Sequence, residues 1–195
     1  MPQRIARVVS ILGHPLLVLP AALLLPAAIR ARDPQSLSSM ATGFAVFAAL
    51  VLGWSWWQVR RGRWAHVDAS GHDERRSLNR TLLAMLLVAT LLAWRGLPQP
   101  DLALALLLAA GIVAIAILAA RVCKLSLHLA FAIYAAGLLW PLGGIAIAVG
   151  LIFAVAVAWS RLHLSRHRPR DLVAGGLAGL IAATLYWPAL AALRG

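Results

Sequence analysis

Residues 101–120 read DLALALLLAAGIVAIAILAA, and after Asp101 no position carries a charge or a hydroxyl. A run of about 20 such residues matches the thickness of a bilayer's hydrocarbon core. Further apolar runs lie on both sides, at roughly 8–29, 40–59, 79–95, 125–140, 142–159 and 172–193. The chain of 195 residues is 62% hydrophobic and only 12% charged, about half the charge of a typical soluble domain. One aqueous core cannot bury that much apolar surface. The expected fold class is therefore all-α, a polytopic membrane bundle of about six to seven transmembrane helices. The length suits a single membrane-embedded domain over 1–195, with a polar-motif core at about 60–185 and residues 1–59 as an N-terminal helical hairpin. Pro15, Pro20 and Pro26 predict a kinked first helix, and no cleavable signal peptide is expected. Trp54, Trp56 and Trp57 end the second run, where an interfacial aromatic belt belongs.

The net charge is +12. In a soluble protein that would point to nucleic acid. Here the bases occupy short loops beside apolar runs, so anionic headgroups or phosphates are the expected partners and nucleic acid is not. Seven crossings put the N-terminus, residues 60–80, 121–124 and 160–171 on one side. Of the 18 Lys and Arg residues, all but Arg30, Arg32, Arg95 and Arg194 fall there. The positive-inside rule assigns that side to the cytoplasm, with a bacterial inner membrane as the expected location. The single Cys123 forms no internal disulfide and says nothing about redox compartment.

The polar stretches carry the chemistry. Residues 160–171 read SRLHLSRHRPRD and fit S-R-x5-H-x3-D through Ser160, Arg161, His167 and Asp171. Arginine offers a planar fork of donors to phosphate oxygens, and a serine hydroxyl can add one more. A neutral imidazole can attack phosphorus when its other nitrogen is held in one tautomer, which Asp171 could do. The plainer reading is a basic interfacial loop in which Asp171 caps the final helix. His163, His167 and Asp171 are spaced as metal ligands on one helix would be, but Pro169 argues against a continuous helix there.

That pattern resembles the third motif of the type 2 phosphatidic acid phosphatase superfamily, which includes lipid phosphate and diphosphate phosphatases and vanadium haloperoxidases. The family's second motif is P-S-G-H. Ser70-Gly71-His72 matches it best as a string, but one helical hairpin normally separates the second and third motifs. Ser126 and His128, in Lys124-Leu-Ser-Leu-His, stand at that distance. The first motif, K-x6-R-P, keeps only Arg75, with Asp68 in place of its lysine and Arg76 in place of its proline. Together with His14-Pro15-Leu16-Leu17 and Asp73-Glu74-Arg75-Arg76, these features resemble a divergent branch. The alternative for residues 73–76 is a solvated ion-pair face, and for His128 a buried histidine satisfied by a carbonyl.

The resemblance implies a membrane phosphatase that hydrolyses a lipid-linked phosphate monoester or diphosphate without metal or cofactor. Arg161, Arg75, Lys124, Ser126 and Ser160 would bind the phosphate. His167 would become a phosphohistidine with Asp171 orienting it, and His128 would protonate the leaving alcohol. The competing expectation is a non-catalytic membrane protein on the same fold that binds anionic lipid or a partner.

Overall fold

A computed structural model describes residues 1–30, 33–66, 71–96 and 100–195. Asp68 and Ser70 of the motif-like strings, the basic residue Arg32, and the centre of the Gly96–Pro100 turn lie outside these residues. Eight α-helices follow one another among the described residues: α1 (Pro2–Leu12), α2 (Pro15–Ile29), α3 (Pro34–Arg60), α4 (His72–Gly96), α5 (Asp101–Ala119), α6 (Leu127–Leu138), α7 (Gly144–His163) and α8 (Pro169–Arg194). Five of them, α3, α4, α5, α7 and α8, are long and apolar enough to cross a membrane. The pair α1 and α2 passes the same test jointly, giving up to six spans. The chain is thus a polytopic helical bundle.

Three departures from the apolar runs matter for function. The first run is a bent pair, with α1 and α2 meeting at 57°. The bend sits at Gly13-His14, because Pro15 opens α2 and cannot donate a hydrogen bond back into α1. The fifth run is α6, only 12 residues long. At 1.5 Å rise per residue it covers about 18 Å, well short of a hydrocarbon core. It is instead the buried axis of the bundle, packed against α2, α5, α7 and α8, so the non-helical backbone before it is enclosed by protein. Third, α4 begins at His72, well before the apolar run at 79. Its polar first turns are held by Glu74, whose carboxylate accepts the backbone N–H groups of Ala65 (2.7 Å) and Gly71 (2.8 Å). Arg75 therefore projects from a helix, not from a loop.

Small residues set the helix spacing. A Cβ on Gly175 of α8 would lie 2.5 Å from the Ser126 carbonyl oxygen, and one on Gly179 would collide with the carbonyl of Ala130. The two glycines let α8 ride directly on the backbone at the start of α6. The bundle's two ends are pinned by different groups. At one end Arg194 meets the Asp101 carboxylate at 2.7 Å and Arg30 donates to the Pro141 carbonyl at 3.4 Å. The other end holds the α1–α2 bend, the start of α4, residues 120–126 and the α7–α8 turn, where the motif residues gather.

Candidate functional site

The α7–α8 turn is built to aim His167. Helix α7 closes with the Arg166 N–H on the Arg161 carbonyl (3.0 Å) and the Ser165 N–H on the Leu162 carbonyl (2.9 Å). This is the double closure of a Schellman motif, and it places Ser165 in the left-handed region at φ 53°. The chain then reverses and Pro169 starts α8. Asp171, in the first turn of α8, reaches back to accept the Arg168 N–H at 3.0 Å. The helical register between His163 and Asp171 is broken, and His163 stacks on Trp159, with ring centroids 5.3 Å apart.

Asp171 also ties this turn to the segment before α6. Its other carboxylate oxygen accepts the Lys124 N–H (3.0 Å), and its own carbonyl accepts the Ser126 N–H (3.0 Å). That brings the Lys124 carbonyl to His167, whose Nδ1 lies 3.0 Å from it. A carbonyl can only accept, so Nδ1 carries the proton and Nε2 keeps its lone pair. The Asp171 carboxylate stands 3.8 Å from Nδ1, beyond hydrogen-bond distance. The expected orienting role thus falls first to the Lys124 carbonyl, with Asp171 acting through the backbone it clamps. Burial, followed by the neighbouring charges of Arg161 and Lys124, pushes the His167 pKa down to about 4. The ring is neutral at pH 7.

Arg75, Lys124, His128, Arg161 and His167 line one cavity of about 980 Å³. No Asp or Glu among the described residues lines it. The Lys124 ammonium is pushed below its ordinary pKa, first by burial and then by Arg75 and Arg161. Three cations on one cavity wall favour an anion in the space they share, with Asp171 and Glu74 offsetting part of their charge from outside it. The cavity's far wall is apolar, formed by Leu19, Phe47, Val51, Leu82, Leu86 and Phe131.

Two predicted ligands lie elsewhere. Ser126 and Ser160 are fully buried and neither lines the cavity. The Ser160 hydroxyl donates to the Val157 carbonyl within its own helix at 2.7 Å, while the Ser126 hydroxyl has no partner among the described residues. A hydroxyl one turn from a helical carbonyl is readily taken by it, a competition that residue spacing cannot reveal.

Two residues outside the expected phosphate-binding and catalytic set join the cavity. Ser10 of α1 accepts a 2.7 Å hydrogen bond from an Arg161 terminal nitrogen. His14, at the α1–α2 bend, packs edge-on against His128 with ring centroids 5.2 Å apart. His14 was visible in sequence only as the first residue of the His14-Pro15-Leu16-Leu17 string. Ser10 gave no signal. No family model, no curated protein and no solved structure matches this chain.

Proposed function

We propose that the chain is a divergent type 2 phosphatidic acid phosphatase-like enzyme that hydrolyses a lipid-linked phosphate monoester or diphosphate. The observation that carries this reading is the shared cavity, cationic and histidine-bearing at one end and apolar at the other. Its cationic end suits a phosphate, and its apolar wall suits the chain that phosphate is attached to.

In this reading Arg75, Lys124 and Arg161 hold the non-bridging oxygens and stabilise the charge spread over the transferring phosphoryl group. The Nε2 lone pair of His167 attacks phosphorus. The bond from phosphorus to the lipid oxygen breaks, and the leaving oxygen takes a proton from His128. Water then attacks the phosphohistidine and gives its proton to His128, and the P–N bond breaks to release inorganic phosphate and neutral His167. The fixed Nδ1–H of His167 supports this assignment, since it leaves the other nitrogen as the nucleophile. Asp171 positions Lys124, and the Lys124 carbonyl in turn positions His167. The excess of Arg and Lys at this end of the bundle favours a cytoplasmic site in a bacterial inner membrane, and hence a substrate made inside the cell.

Purified protein in lipid nanodiscs should release phosphate from one or more of phosphatidic acid, phosphatidylglycerol phosphate, and polyprenyl phosphates and diphosphates. His167→Ala should abolish release, and full activity in that variant would sink the mechanism. One observation favours the non-catalytic alternative: neither serine hydroxyl faces the cavity. Under that alternative the protein binds lipid phosphate through Arg161 with no turnover of any substrate.

A further inference from the structure

We infer that His14 is a direct ligand of the phosphoryl group, donating a hydrogen bond from Nε2 to one of its oxygens. The inference rests on the phosphate-site reading above and gives a role to His14, to which the His14-Pro15-Leu16-Leu17 string assigned none. His14 is the N-cap of α2, and its Nδ1 accepts the Leu16 N–H at 3.2 Å. An accepting Nδ1 is unprotonated, so the neutral ring carries its proton on Nε2. The cap therefore fixes the tautomer and turns the ring into a donor of set direction. That ring lines the cavity and meets the His128 ring nearly perpendicular, at 88°.

The backbone under it is fixed as well. A Cβ on Gly13 would lie 2.5 Å from the Val157 side chain, so the bend is seated directly on α7. Ser10, one turn before, holds Arg161. The same segment thus positions one guanidinium and places one imidazole on the wall of the same cavity. A preorganised neutral donor beside three cations suits a tetrahedral oxyanion that becomes trigonal bipyramidal during transfer, because it stabilises developing charge without adding another mutually repelling cation.

The helix cap and the ligand role can be separated by substitution. In His14→Asn the side-chain oxygen can still accept the Leu16 N–H, since Asn is a favoured N-cap, but the Nε2 donor is gone. His14→Ala removes both. Full-length protein in nanodiscs would be titrated with orthovanadate by calorimetry and assayed for phosphate release from lipid phosphates. His14→Asn should keep the wild-type melting temperature while vanadate binding weakens roughly 10- to 100-fold, the range of a lost hydrogen bond to a charged group. His14→Ala should lose both affinity and melting temperature. Wild-type vanadate affinity in His14→Asn would overturn the inference. Wild-type protein that binds vanadate in a His14-dependent way yet hydrolyses no lipid phosphate would refute the enzyme reading and leave His14 as an oxyanion ligand. Wild-type protein that does not bind vanadate would overturn both.

Discussion

Asp171 holds Lys124 by the backbone: its carboxylate accepts the Lys124 N–H at 3.0 Å, and the carbonyl of Lys124 in turn takes His167 Nδ1 at the same distance. The carboxylate that sequence spacing assigns to the histidine acts one peptide away from it. Asp171→Asn leaves one acceptor where two N–H groups now bond. It should lower stability by about 1–3 kcal/mol and reduce turnover together, because an unsatisfied buried N–H and a displaced Lys124 carbonyl follow from the same change. Thermal unfolding and phosphate release measured on one preparation would check this. Lost activity at wild-type stability would return Asp171 to a direct role on the imidazole.

The low His167 pKa has a kinetic consequence. In the proposed mechanism only the neutral ring attacks phosphorus, which puts the acidic limb of kcat/KM for the free enzyme near pH 4, well below an ordinary histidine. It also affects stability. The unfolded imidazole binds its proton near 6.5 and the folded one only near about 4. Stability should thus be unaffected by this group above pH 6.5 and fall as pH drops from 6.5 toward 4. His167→Asn should flatten that part of the stability profile, as chemical unfolding at pH 7 and pH 5 would show.

Gly175 should tolerate no side chain. An alanine there would press on the Ser126 carbonyl, which is backbone and cannot swing aside. Gly175→Ala should cost about 1–3 kcal/mol and shift the segment that carries Lys124 and His128. A fall in turnover larger than in Gly176→Ala, where the nearest side chain is in ordinary contact distance, would distinguish this from general loosening of α8.

The two motif serines should prove dispensable for phosphate. Ser126→Ala removes a buried hydroxyl that has no partner among the described residues and should be neutral or stabilising by about 1 kcal/mol. Ser160→Ala loses only a bond within its own helix and should change stability by less than about 1 kcal/mol. Phosphate affinity that dropped sharply in either variant would place its hydroxyl at the ligand.

Most of the bundle could be read from composition, because a long uncharged apolar run has few alternatives to a spanning helix. What could not be read was set by contacts between elements. The 125–140 run looks like one full-length helix, but its first residues are held in extended backbone against Asp171, which shortens α6. Arg75 looks like part of a loop because its neighbours are polar, and only the Glu74 clamp reveals the helix. At the candidate site, Arg161, His128 and His167 follow from motif spacing. Ser10 could not be found this way: a lone serine in an apolar run is uninformative until Arg161 is beside it.

That pairing has a bearing on biogenesis. Ser10 and Arg161 are 151 positions apart, so when Ser10 enters the membrane its guanidinium partner has yet to be synthesised. The cavity closes only after the last two helices insert and return to the first. Contacts of such long range form late, after local helices exist. Under the proposed phosphatase reading, turnover begins only once α7 and α8 have inserted, and a bundle lacking them has no assembled pocket.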